Sequence, residues 1–380
     1  MNQAHYDVIV IGAGSMGMAA GYFLAKKGAK TLLIDAFDPP HDHASHHGET
    51  RIIRHAYGEG RQYVRLVLRA QELWEALERE SGYTLFERTG VLGIGEPSSP
   101  FLTETFASAA QYGLPVERLN AAQIRKRWPG ITLPDDFIGC FEPDSGVLYS
   151  ERCIQAFREL ALKFGADLTV NTPVKNIQYD RHGVTVDTIS GTYRGKNVIV
   201  TAGAWAGKLL PELQLPLQPT RKVFAWFETN APLFEPAQFP AFTFDLGDRT
   251  FYGFPSFNGS GLKVGRHDGG EPTDPDTLNR AFGTNASDEG DLRSFLDRFM
   301  PQASGRLKQG KVCLYTKTPD DHFIIDRHPY FSHVVIAAGF SGHGFKFSSA
   351  IGEVLCQMVT GEEEHHDLSL FSLRRFSNNE

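Results

Sequence analysis

The stretch that most constrains this chain lies at its N-terminus. Residues 6–11 read Tyr-Asp-Val-Ile-Val-Ile, a β-branched run suited to a buried parallel strand. Gly12-Ala-Gly14-Ser-Met-Gly17 follows at once, then a helical stretch over residues 16–27 closed by Gly28. A second strand over 30–34 ends at Asp35. Strand, GxGxxG turn, helix, strand and acid in this order make a dinucleotide-binding unit. Gly12 allows the tight turn, Gly14 lets the backbone approach a pyrophosphate, and Gly17 lets helix and sheet pack closely. The helix N-terminus offers N–H groups and partial positive charge to phosphates. Asp35 would accept hydrogen bonds from a ribose. The motif by itself does not separate FAD from NAD.

Two further apolar runs end in small residues, 197–203 (NVIVTAG) and 332–339 (SHVVIAAG), the second leading through a glycine-rich loop into a helix over 348–359. Such strands at the beginning, middle and end of one chain predict a single α/β domain assembled from discontinuous pieces. A NAD dehydrogenase more often keeps its unit contiguous. Between the pieces, residues 222–228, Thr250–Phe254 and 261–265 alternate aromatic and β-branched residues, broken by Pro and Gly, which reads as an antiparallel sheet. Amphipathic helices are expected over 62–82, 101–112, 121–127 and 151–164. The polar tail after Leu373 is expected to fray. The division expected is 1–85, 140–218 and 320–380 for the dinucleotide-binding domain, and 86–139 with 219–319 for a substrate domain.

Composition excludes several classes. Hydrophobic residues at 41% and charged residues at 22% are those of an ordinary globular chain, which argues against wholesale disorder. A net charge of −7 argues against nucleic acid as the main partner. The apolar N-terminal run is no signal peptide, because Asp7 precedes it while Lys26 and Lys27 follow. No other run suggests a membrane span. The 4 cysteines, Cys140, Cys153, Cys313 and Cys356, show no metal-ligand spacing and are too sparse for a disulfide scaffold. A reducing, cytoplasmic setting fits them.

Four segments concentrate chemistry. Residues 41–55 (HDHASHHGETRIIRH) hold five histidines with Arg51 and Arg54. They read as a solvated basic loop, or as one that wraps a cofactor and offers a planar guanidinium fork to a carboxylate. No partner at a ligand spacing supports a metal. On a strand, Lys263, Gly265 and His267 share one face while Leu262 and Val264 share the other. That face lines a site, or the strand is an exposed edge. Cys313, between Val312 and Leu314, reads on its own as an inert core cysteine. Residues 339–346 (GFSGHGFK) let the backbone approach a ligand, and Lys346 binds a carboxylate or lies on the surface.

Taken together, these stretches resemble the family of monomeric sarcosine oxidases and N-methyltryptophan oxidases. The resemblance covers nearly the whole chain and rests on 12–22 (GAGSMGMAAGY), 35–41, 45–60 (SHHGETRIIRHAYGEG), 141–148, 252–257, the CxYT run at 313–316, 322–329 and 337–349. It implies an α/β (α+β) fold of glycine/D-amino acid oxidase-like architecture, with a Rossmann-like FAD domain and a mixed or antiparallel sheet bearing the substrate site. It implies oxidative demethylation: N-methyl amino acid, water and O2 give the free amino acid, formaldehyde and hydrogen peroxide. The flavin of the family is attached through its 8α-methyl group to a cysteine, and Cys313 is the matching position.

The residue roles follow from the same resemblance. Arg54 and Lys346 would bind the substrate carboxylate. Lys263 would activate oxygen near flavin N5. Tyr252, His267 and Tyr315 would line the substrate side. His47, Thr50 and Arg51 would contact or tune the flavin, Val174 would meet the adenine portion through its backbone, and Gly342 would lie against the cofactor. Thr243 stands where the sarcosine-specific members carry methionine. Residues 221–228 look more like the N-methyltryptophan branch, whereas the segment around Cys313 and Lys317 looks more like the sarcosine branch. A monomer acting on sarcosine and other small N-methyl amino acids is expected, with no metal. Alternatives are an N-methyl-L-tryptophan oxidase, a glycine or D-amino acid oxidase with noncovalent FAD, and a nonenzymatic dinucleotide-binding or redox-sensing module.

Overall fold

A computed structural model describes residues 5–363 and 366–376. Its first sheet runs Asp167–Thr169, Thr31–Ile34, His5–Ile11, Thr192–Val200, Val334–Ala338 and Ile324–Arg327. The first five are parallel and the last is antiparallel. A hairpin, Val174–Asp180 with Gly183–Thr188, joins the start of Thr192–Val200. Strand alternation sends Val8 and Val10 to one face and Ile9 and Ile11 to the other, and both faces are covered. Helices Ser15–Lys26, Ser150–Lys163 and Ser348–Thr360 pack together on the first face, with Val64–Ser81 alongside.

The second sheet has nine strands. Its main order is Leu307–Lys317, Gln218–Phe227, Leu262–Arg266, Thr250–Phe254, Ala241–Asp245, Val91–Gly95, Ile138–Glu142 and Glu117–Asn120. Neighbours are antiparallel except Ala241–Asp245 with Val91–Gly95, so the expected antiparallel sheet is a mixed one. One face buries phenylalanines 227, 242, 244 and 251 against Phe295 and Phe299 of helix Ala286–Phe299. A small third sheet pairs Thr50–Ile53, Gly146–Tyr149 and Phe86–Glu87. It carries Arg51 and brings the following Arg54 between the two larger sheets.

The strand bearing Lys263 is interior, paired on both sides, which removes the exposed-edge reading. The tail does not simply fray. Leu373–Phe376 forms a 3-10 turn, with Asp326 accepting from Ser372 Oγ at 2.7 Å and from Leu373 N at 2.8 Å. The rest of the expected frayed tail, 377–380, lies outside the described residues.

The glycines of the first turn divide by what surrounds them. A Cβ on Gly17 would collide with the Gly12 carbonyl, and one on Gly12 would lie 2.6 Å from the Thr201 carbonyl oxygen. A Cβ on Gly14 would meet nothing nearer than His46 Nδ1 at 3.7 Å. Gly17→Ala should therefore destabilise the fold by about 2–4 kcal/mol. Gly14→Ala should change stability by no more than about 0.5 kcal/mol. Urea unfolding of both variants checks this; equal losses would contradict it.

Candidate active site

A cavity of ≈ 1080 Å³ lies between the two large sheets. At one end it is lined by Gly12, Gly14, Ser15, Asp35, Phe37, Val174 and Thr201. At the other are Arg51, Arg54, Thr243, Tyr252, His267, Cys313, Tyr315, Gly342 and Lys346. The expected residues thus converge from segments more than three hundred positions apart. Gly17, His47, Thr50 and Lys263 stand behind this lining. Gly17 packs on the first turn, and Thr50 Oγ accepts from Lys263 Nζ at 3.1 Å.

The first end fits a dinucleotide. Helix Ser15–Lys26 has no side-chain cap and no acid in its first turn, so its free N–H groups face an open end. The open space at Gly14 is where a phosphate can approach. Asp35 already accepts from Ala13 N at 2.7 Å and Phe37 N at 2.9 Å, which fixes its carboxylate at the end of its strand with lone pairs to spare for a ribose. His47 is buried with neither ring nitrogen hydrogen-bonded, and burial followed by Arg51 holds its pKa down to about 3. Among the described residues, no three His, Cys, Asp or Glu side chains gather as a metal-binding group.

At the second end positive charges gather, buried at Arg54, Lys263 and Lys346 and half-buried at Arg51. Lys263 donates to the Gly48 carbonyl, to the Thr50 carbonyl at 3.2 Å and to Thr50 Oγ. Three acceptors match the three protons of an ammonium. The rings of Phe224, Trp226 and Phe254 surround it at 4.7, 5.4 and 4.6 Å. Burial, then Arg51, nevertheless push its pKa well below the usual lysine value. Arg51 donates to the carbonyls of Thr50, Ser45 and His47, each at 2.7 Å. Lys346 donates to the His343 carbonyl at 2.7 Å and to Tyr57 Oη at 3.3 Å.

Arg54 differs, because it is paired with a carboxylate, Glu59, and stacked on Tyr57 and Phe101. Burial raises the Glu59 carboxyl, but Arg54 and then His343 and Lys346 outweigh it and bring the pKa to about 2. The sequence reading missed Glu59, although it follows Arg54 within the quoted HAYGEG run. It also missed His343, which bonds Tyr57 Oη at 2.6 Å and contacts the Asp321 carbonyl at 3.1 Å. On the opposite wall His267 Nδ1 lies 3.4 Å from Tyr315 Oη, and burial lowers its pKa to about 4. Burial pushes Tyr252 up to about 12 and Tyr315 well above its usual value. These three groups are therefore uncharged at neutral pH.

Cys313 is buried, as its neighbours suggested, and it also lines the cavity. Its setting is cationic, but the cations do not dominate. Burial raises the thiol pKa more than Arg51, Lys222, Lys263 and Arg280 lower it.

The chain was compared with known proteins. A model of the FAD-dependent oxidoreductase family matches residues 7–358. A monomeric sarcosine oxidase from Bacillus sp. (strain NS-129) is 54% identical over 375 residues, covering 98% of this chain and 97% of that protein. An N-methyl-L-tryptophan oxidase from Yersinia pestis (strain Pestoides F) is 46% identical over 372 residues, covering 98% and 99%. Two solved structures share the fold. They are L-proline dehydrogenase from P. horikoshii (TM-score 0.88, 20% identity, 100% and 99% covered) and glycine oxidase from Geobacillus kaustophilus (TM-score 0.81, 22% identity, 97% and 98% covered).

Burial, then Arg54, hold Lys346 down to about 7. A lysine binds a carboxylate only while protonated, so its contribution is present below that pKa and lost above it. KM for a carboxylate-bearing ligand should rise as pH increases past neutrality, and Lys346→Met should raise KM about tenfold or more at low pH while flattening this rise. KM measured against pH in both proteins decides; an unchanged rise in the variant would assign it to another group.

Proposed function

This chain belongs to the family of FAD-dependent oxidoreductases, and on that footing we propose that it oxidatively demethylates small N-methyl amino acids. The products are the free amino acid, formaldehyde and hydrogen peroxide. The observation that carries this reading is the pair Arg54 and Lys346, two buried cations lining the far end of a cavity whose near end fits a dinucleotide.

FAD bound there would take two electrons from the substrate's N-methyl C–H and give them to O2. The protein supplies position and charge. Arg54 and Lys346 hold the substrate carboxylate, with Glu59 giving up part of its hold on Arg54. Fixing the carboxylate at two points turns the N-methyl group toward the cofactor. The amine must lose its proton before oxidation. Two cations nearby and uncharged Tyr252, Tyr315 and His267 disfavour the ammonium form. Lys263, in its protonated form, would place a positive charge where negative charge develops during reduction of O2, an effect worth ~10²-fold or more. Arg51 and Thr50 hold the main chain that orients it.

The cofactor is read as covalently attached at Cys313, with His47 tuning its surroundings and Val174 at its adenine end. The two sheets support one FAD-binding part and one substrate part, with Ile138–Glu142 counted in the second. A cytoplasmic monomer accords with four buried free cysteines and with relatives named as monomeric. Among the described residues no helix is long and apolar enough to cross a membrane.

Thr243 sets the expected range. It lines the cavity beside Tyr252, its neighbour on the adjacent strand, and a threonine there leaves more room than a methionine. One such difference is worth only ~1–3 kcal/mol. Sarcosine and N-methylalanine should both be oxidised, with weak activity on N-methyltryptophan, and Thr243→Met should narrow the range toward sarcosine. Peroxide and formaldehyde release with the three substrates, as kcat/KM, tests this. No turnover of any of them would refute the reading, while a preference for N-methyltryptophan would move the chain to the other branch. In stopped-flow half-reactions, Lys263→Met should slow reoxidation far more than flavin reduction; equal losses would remove Lys263 from this role.

A further inference from the structure

Strand Gln218–Phe227 runs antiparallel to Leu307–Lys317, and Lys222 stands directly opposite Cys313 in that register. Directly opposed side chains share one face of a sheet, with Cβ atoms about 4.5–5.5 Å apart. By the two-residue period, Lys222 shares its face with Phe224 and Trp226, and Cys313 shares its face with Tyr315. Those four neighbours, Phe224, Trp226, Cys313 and Tyr315, form one buried cluster. Lys222 is only 5% exposed. Its ammonium donates to the main-chain carbonyls of Asp268 and, at 3.2 Å, of Gly269, and stands 5.4 Å from the centre of the Tyr315 ring. These carbonyls satisfy its protons without adding a negative charge, while burial lowers its pKa to about 8.

We propose that Lys222 is a positioning residue for flavin attachment: its ammonium, fixed across the strand pair from Cys313, stabilises the thiolate that forms the bond. The proposal rests on Cys313 being the attachment point. The other groups facing the thiol are Arg51 and Arg280, which are cationic, Lys263, whose pKa burial lowers, and Tyr252 and Tyr315, which are neutral at pH 7. Burial raises the thiol pKa most, Arg51 opposes this most strongly, and Lys222 follows. In attachment, Cys313 loses its proton to water and its sulfur bonds to the 8α-methyl carbon, from which one hydrogen leaves. The two electrons released enter the flavin and pass, with two protons, to O2 as hydrogen peroxide.

The test uses full-length apoprotein from riboflavin-starved cells mixed with FAD. Flavin fluorescence retained on the acid-denatured protein band is followed over time at a series of pH values, alongside Cys313→Ala as the blank. In the wild type the attachment rate should rise with pH as the thiol ionises. Lys222→Met should slow attachment about tenfold below about pH 8, where the lysine is protonated, and leave the rate near that of the wild type above it. Lys222→Arg should restore the rate. If Lys222→Met does not fold, Lys222→Gln, which keeps donors for the two carbonyls but no charge, carries the same expected loss. A lysine that merely holds those carbonyls would give equally slower attachment at every pH, and the proposal would fall. Wild-type protein that never retains flavin would overturn the attachment at Cys313 itself, a separate failure.

Discussion

Buried positive charge held by main-chain carbonyls is the condition on which the site depends. An unpaired buried ammonium costs several kcal/mol, and a carboxylate partner would remove that cost together with the charge. Here carbonyl oxygens of Ser45, His47 and Thr50 hold Arg51, those of Gly48 and Thr50 hold Lys263, and that of His343 holds Lys346. The dipoles offset part of the desolvation without adding a negative charge, so that the protonated groups can act on an anion or on charge that develops in a reaction. Arg54, paired with Glu59, is the exception.

The same bonds fasten the two sheets around the cavity. Residues 41–55 leave the dinucleotide-binding unit and pass between the sheets. Gly48, with a φ of 102°, turns its carbonyl toward Lys263 of the second sheet, where a Cβ would press into the Phe224 ring at 2.5 Å. Arg280, from beyond that sheet, donates back to the carbonyls of Asp42 and His43 at 3.1 and 3.0 Å. Cavity wall and interface between the sheets are therefore one set of contacts, and changes to the loop act on both.

The regular elements were legible because their signals are local. The first β–α–β unit, the helices over 64–81 and 100–112, and the face shared by Lys263 with Gly265 all followed from periodicity and glycine placement. The mixed sheet was less so. The parallel pairing of Val91–Gly95 with Ala241–Asp245 joins segments about 150 residues apart, and no local pattern reports such a partner. The turn at Leu373–Phe376 was missed for the same reason: Asp326 and Asp320 tie down a tail that is polar by composition.

The site shows the same division residue by residue. The sequence by itself determined the glycine turn between the first strand and helix, because the Gly12–Gly17 spacing suits that turn, and it singled out Arg51, Arg54, Lys263, Cys313 and Lys346. Only the tertiary structure decided what each of these can do. Whether Cys313 is a core thiol or a cavity wall depends on which sheet face looks inward. Whether Lys263 carries a usable charge depends on the carbonyls of Gly48 and Thr50 brought to it from another sheet. Glu59 against Arg54 and Lys222 opposite Cys313 matter because of pairings that exist only in the folded molecule. Charge and reactivity in a buried site are set by distance and desolvation, and these depend on residues far apart in the chain.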